Sequence, residues 1–200
     1  MQPSPFFRQQ TPQHAGTQTM LLDTPLCDFG WKAPSFSLKD PDGIPYSLES
    51  VMGENGLLVA FICNHCPYVQ AIIDRLVEDA AQLQKNGIGV VAIMSNDYHY
   101  VHTDSPENMK RFANHFGMTF PYLVDETQEV GKAYGAVCTP DFFGFNNKAE
   151  LQYRGRLDSA GMGDSHNRVK ELVNAMQQIA ETGKGPEQQT PSMGCSIKWR

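Results

Sequence analysis

The sequence predicts a single α/β domain built on a mixed sheet. Two observations carry this. Two apolar runs, residues 57–62 (Leu-Leu-Val-Ala-Phe-Ile) and 88–94, read as buried strands and flank a helical run. A strand–helix–strand order requires parallel strands, because the crossover returns the chain to the same end of the sheet. Farther on, residues 141–145 and 151–154 are β-like and are joined by Asn146-Asn147-Lys148, which reads as a hairpin and hence an antiparallel pair. A chain of 200 residues, 40% of them hydrophobic, suits one such domain with tails. That length buries a core without disulfide staples or a structural metal.

The elements follow in order. Residues 1–19 are rich in Gln, Pro, Thr and Ser and are expected to be a disordered extension. The domain then spans 20–184, and 185–200 form a tail. After the strand at 57–62, Val69, Ile72, Ile73, Leu76, Val77, Ala80 and Leu83 recur at helical spacing until Asn86-Gly87 stops the run. Ser105-Pro106-Glu107 combines a cap with proline at the first helical position. Met109, Phe112, Ala113 and Phe116 give the helix it opens an apolar face. Residues 120–124 read as extended, and 126–134 as a short helix ended by Gly135. After the hairpin, a last helix carries Val169, Leu172, Val173, Met176 and Ile179, with Asp164 or Ser165 as its cap and Gly183 as its stop. Cys195 and Trp199, at the end of an otherwise polar tail, predict that the tail docks back on the domain.

Charge and composition narrow the function. Sixteen basic residues face 22 acidic ones, for a net charge of -6, and no basic block is present. Nucleic acid and anionic membrane are therefore poor partners. No run approaches about 18 consecutive apolar residues, so no transmembrane helix is expected. The five cysteines (27, 63, 66, 138 and 195) are an odd number, unlike a secreted disulfide scaffold. The first twenty residues hold no apolar leader-like stretch, so the expected compartment is a reducing cytoplasm. A disulfide there is catalytic rather than structural.

The chemistry centres on Cys63-Asn64-His65-Cys66-Pro67, which falls between the first strand and the first helix. Two cysteines so spaced can close a small disulfide ring. The helix start supplies partial positive charge and unpaired N–H groups, which favour a thiolate. Cys63 is expected to be the more exposed cysteine and the attacking thiolate, with Cys66 as the resolving thiol. Asn64, His65 and Pro67 are expected to tune the pair: a protonated His65 favours the thiolate, and Pro67 pins the helix start. No organic cofactor is expected, since the two sulfurs carry the electrons. Half of a zinc site is the competing reading, but no second C-x-x-C or matching histidine pair accompanies it. No metal is expected.

At this point the chain resembles the thioredoxin superfamily, and within it the redoxin branch of thiol–disulfide reductases and AhpC/TSA peroxiredoxins. The likeness begins at Gly30-Trp31-Lys32-Ala33-Pro34-Ser35-Phe36-Ser37-Leu38 and continues through residues 40–48, which look like the branch's N-terminal hairpin. It takes in the C-x-x-C and Val137-Cys138-Thr139-Pro140. A closer likeness is to a bacterial group sharing Cys-Asn-His-Cys-Pro-Tyr, the Asp104-Ser105-Pro106-Glu107-Asn108-Met109 helix start, residues 134–143 and the Gly-Cys-Ser-Ile-Lys-Trp ending. The resemblance implies a thioredoxin-like fold and thiol–disulfide exchange with protein or low-molecular-weight thiols and disulfides. It also implies a cis Pro140 beside the cysteines, with the Thr139 backbone receiving an extended substrate chain.

Two other activities compete. Peroxiredoxins carry T-x-x-C-P at this turn, which would make Cys66 the peroxidatic residue, with Cys63 in place of the threonine and Arg156 as the arginine near the thiolate. Copper chaperones of the superfamily use C-x-x-x-C-P, one residue longer than the motif here. Cys138 reads as core and Cys27 as incidental. Cys195 either anchors the tail or exchanges with the active-site pair.

Overall fold

The computed structural model describes residues 20–200, so the extension expected at 1–19 lies outside the described residues. Short strands β1 (Leu21–Asp23), β2 (Ser37–Lys39) and β3 (Pro45–Ser47) precede a one-turn helix, α1 (Leu48–Val51). The central unit is β4 (Leu57–Phe61), α2 (Pro67–Lys85) and β5 (Gly89–Met94). Then come α3 (Pro106–Phe116), β6 (Tyr122–Val124), α4 (Glu129–Tyr134), β7 (Cys138–Thr139), β8 (Asp141–Phe145) and β9 (Leu151–Tyr153). Helix α5 (Glu171–Thr182) and β10 (Met193–Ser196) close the chain.

Seven strands form one sheet in the order β3-β2-β6-β5-β4-β8-β9. β5 pairs in parallel with β4 and β6, as the strand–helix–strand order requires, and β8 runs antiparallel to β4. β4 is buried along its length, and its alternate residues serve two separate cores. Leu58, Ala60 and Ile62 face α2, α3 and α5, meeting Val69, Ile73 and Phe112. Leu57, Val59 and Phe61 face the other way, toward Phe143, Phe145 and Tyr134. A strand covered on both faces must be apolar at every position, which is why it reads as a continuous run. The result is a mixed sheet between two layers of helices, the thioredoxin-like arrangement that the resemblance implies. Among the described residues no helix is long and apolar enough to cross a membrane.

Helix starts follow the sequence where their caps are local. Ser105 Oγ accepts from the Asn108 N–H, and Pro106 opens α3. The last helix differs. α5 begins at Glu171, so neither Asp164 nor Ser165 caps it, and Val169 lies outside it, 53% exposed. The cause is an ion cluster: Arg168 makes two 2.7 Å contacts with the buried Asp79 of α2, and Lys170 reaches Asp79 at 3.0 Å. These contacts hold the segment before α5 out of the helix. α4 likewise starts three residues later than expected, after Gln128 adopts a left-handed conformation.

The tail docks, and it does so as a strand. β10 lies between β1 and β7 in a separate three-stranded sheet. Beyond it, the Lys198 N–H donates to Asn96 Oδ1 and the Lys198 carbonyl accepts from Gln128 Nε2. Ile197 is buried, whereas Trp199 stays 39% exposed with Lys132 over its ring.

Candidate active site

The chain leaves β4, turns through Cys63-Asn64-His65, and enters α2 with Cys66 as the N-cap residue and Pro67 at the first helical position. The turn is held by a residue 40 positions away. Asp104 is completely buried and accepts four hydrogen bonds. Its Oδ1 takes the N–H groups of Asn64 (2.8 Å) and His65 (3.2 Å). Its Oδ2 meets His65 Nδ1 (2.7 Å) and Asn96 Nδ2 (3.0 Å). Asn64 is fixed on its other side, donating to the Thr103 carbonyl and accepting from the Tyr122 hydroxyl. Asp104 read from the sequence only as part of a helix start. The shared Asp-Ser-Pro-Glu-Asn-Met string was a signal for it, but nothing local ties that string to the cysteines.

The Thr139–Pro140 peptide is cis and lies against the pair. Thr139 Oγ1 shares a 3.2 Å hydrogen bond with Cys63 Sγ, and the Thr139 carbonyl lies 3.1 Å from Cys66 Sγ. Cys195 lies opposite Thr139 in the β10–β7 pair and belongs to the same buried cluster as Cys63 and Cys66. The Thr139 backbone edge, expected to receive an extended substrate, pairs instead with this chain's own β10, Cys195 opposite Thr139. Pro140 opens onto a cleft of about 580 Å³, also lined by Tyr68, Ile72, Arg156, Met162 and Met193. Cys138 is buried on β7, with its thiol near the Pro140 carbonyl.

One expectation about the cysteines needs correcting. Cys63 is not the more exposed one, since both cysteines are buried at 0% exposure. Burial pushes the Cys63 thiol well up, with the Asp104 charge adding to the effect. Cys66 is held far below the ordinary thiol range by hydrogen bonds from the Cys195 and Cys63 thiols. Burial is the one cause acting in the opposite direction. Cys195 is raised in turn, first by donating to Cys66 and then by burial. Reduced protein at neutral pH is therefore expected to show one thiolate by ultraviolet absorbance, lost in Cys66→Ser and kept in Cys195→Ser at reduced strength. Because the folded-state value of Cys66 is depressed, its contribution to stability grows as pH rises toward the ordinary thiol range. It is lost as pH falls through the folded value.

The remaining candidates separate. Arg156 lines the cleft, but its guanidinium makes two 2.8 Å hydrogen bonds to Glu171. Arg154 is buried and paired with Asp141, with its guanidinium over the Phe143 ring. Cys27 is half-buried, and burial pushes it up to about 11. Cys63, His65 and Asp104 place a thiol, an imidazole and a carboxylate within 4.8 Å of one another, the grouping among the described residues that could ligate a metal.

The AhpC/TSA family profile matches residues 29–155, most of the described domain. The chain belongs to the AhpC/TSA family. The chain is similar to two curated relatives with different named activities. Thiol-disulfide oxidoreductase ResA of Halalkalibacterium halodurans is 25% identical over 130 residues, 64% of this chain and 69% of the relative. Peroxiredoxin Bcp of Escherichia coli is 30% identical over 112 residues, 56% of this chain and 67% of the relative. Among solved structures, a conserved protein of Geobacillus kaustophilus superposes with a TM-score of 0.86 at 41% identity, covering 92% of this chain and 98% of that one. The thioredoxin domain of a Bacteroides vulgatus thiol-disulfide oxidoreductase gives 0.58 at 16% identity, covering 76% and 97%, which places this AhpC/TSA chain in the thioredoxin fold.

Proposed function

We propose that this chain is a thiol–disulfide oxidoreductase whose reacting group is the Cys63/Cys66 pair. The observation that carries the reading is the placement of both sulfurs against Thr139, between the end of β4 and the start of α2. That is where a dithiol can close to a disulfide and reopen. In the reducing direction a thiolate attacks an outside disulfide, a mixed disulfide forms, and the second cysteine displaces the reduced partner. The two sulfurs carry the two electrons, so the step needs no organic cofactor. Protein or low-molecular-weight thiols and disulfides are the partners, and the cleft at Pro140 gives them an approach. The electrostatics favour Cys66 as the reacting thiolate, which reverses the order of attack expected from the sequence.

The test is a redox titration. Equilibration in glutathione buffers, followed by thiol trapping and mass measurement, is expected to show Cys63 and Cys66 losing their two hydrogens together in one reversible step. If no Cys63–Cys66 disulfide forms at any poise, exchange is the wrong chemistry.

One observation supports a second reading, peroxide reduction: the low thiol is Cys66, the position a peroxiredoxin would use. Its thiolate would attack the peroxide, taking one oxygen as a sulfenic acid and releasing an alcohol. A second thiol would then form a disulfide and release water. With Arg156 held by Glu171 and Cys63 in place of a hydroxyl, slow turnover is expected. Sulfenic-acid trapping on Cys66 after peroxide treatment checks it.

A further inference from the structure

β10 pairs with β7 in antiparallel register, Cys195 opposite Thr139 and Ser196 opposite Cys138. Residues directly opposite in such a pair project to the same face of the sheet. The Thr139 side chain meets Cys63 Sγ, so Cys195 projects toward the cysteine pair as well, and it packs in the same buried cluster as Cys63 and Cys66. A register shift of one residue would turn Cys195 away and bring Ser196 to that face. The approach is also close: a Cβ on Gly194 would stand 1.9 Å from the Thr139 carbonyl oxygen. Only glycine lets the tail lie this near. Cys63 and Cys66 are completely covered, while the Cys195 residue keeps 6% of its surface open.

We propose that Cys195 is a third redox thiol, exchanging with the Cys63–Cys66 disulfide to form a Cys66–Cys195 disulfide that relays oxidation between the buried pair and outside thiols. The proposal rests on the exchange chemistry above and adds the first partner of the pair. In the step, Cys195 sulfur attacks Cys66 Sγ. The Cys63–Cys66 bond breaks, the Cys66–Cys195 bond forms, and Cys63 leaves with the electron pair and takes up the proton that Cys195 gives up. One disulfide is exchanged for another, so no oxidant is consumed. An outside thiol then attacks Cys195 Sγ. Cys66 leaves as the thiolate, and a second outside thiol completes the two-electron transfer. The reverse sequence reduces an outside disulfide.

The experiment uses the full chain, oxidised in glutathione buffers, acid-trapped, digested with trypsin and mapped by mass. Cys63 and Cys66 share the tryptic peptide 40–75, and Cys195 lies in 185–198. The Cys63–Cys66 form is therefore an internal loss of two hydrogens, and the Cys66–Cys195 form is a cross-link between two peptides. Wild type is expected to give both forms. Cys63→Ser should give the cross-link as its main oxidised species, and Gly194→Val, which drives the tail off Thr139, should lower it at least tenfold. Cys195→Ser should keep the Cys63–Cys66 form but exchange with oxidised glutathione at least tenfold more slowly. If wild type and Cys63→Ser both lack the cross-link while Cys63–Cys66 forms normally, the relay is overturned and the parent reading stands. If the internal disulfide is missing from wild type and Cys195→Ser alike, the parent reading falls, and the relay with it.

Discussion

Cys66→Ser is expected to abolish turnover of any disulfide substrate, by on the order of 10³-fold or more, because a hydroxyl cannot stand in for an attacking thiolate. Cys66 is held below the ordinary thiol range by the neighbouring thiols of Cys195 and Cys63. It is the member common to both disulfides the site can form. Cys63→Ser is expected to behave differently. It should lose multiple turnover yet keep a single burst of disulfide reduction, ending as Cys66–Cys195. Stopped-flow assay of the reduced variants separates the two outcomes. A full burst from Cys66→Ser, with none from Cys63→Ser, would restore Cys63 as the attacking residue.

The second large effect is at Asp104. Asp104→Ala removes the acceptor of four hydrogen bonds, two of them fully buried, and leaves the N–H groups of Asn64 and His65, the His65 ring and the Asn96 amide without this partner. The expected loss is roughly 3–5 kcal/mol of stability, the range for stripping one partner from a buried charged network. Urea denaturation of the reduced protein measures it, and an unchanged midpoint would show that the carboxylate does not hold the turn. Asp104→Asn keeps the volume and removes the charge. Since that charge is one of the causes raising Cys63, its alkylation should then set in at lower pH than in wild type. A merely structural role for Asp104 would leave this pH profile in place.

What was legible in the sequence follows from the range of the interactions. β4, α2 and β5 are written in apolar periodicity, and Pro67 and Asn86-Gly87 mark the helix ends locally. The C-x-x-C therefore fell in the right place. The hairpin of β8 and β9 was equally local. Asp104 was not legible as a site residue, because its bonds to Asn64 and His65 cross about 40 positions and form only once α3 packs. β7 and β1, at two and three residues, are too short to show any alternation. Docking of the tail was readable from Cys195 and Trp199, but its register was not, since register is set by the partner strand. The mistaken exposure of Cys63 has the same origin: it packs against Thr139, 76 positions away. The start of α5 was misread because the ions that hold Arg168 and Lys170 sit on a different helix.

The small sheet of β1, β10 and β7 brings both ends of the described chain to the reacting sulfurs. β10 can seat only once segments more than 170 positions apart have met, Leu21 opposite Cys195. Closing so long a loop makes this small sheet a late step in folding. The strand–turn–helix that carries Cys63 and Cys66 is local by contrast, so Cys195 reaches the pair last.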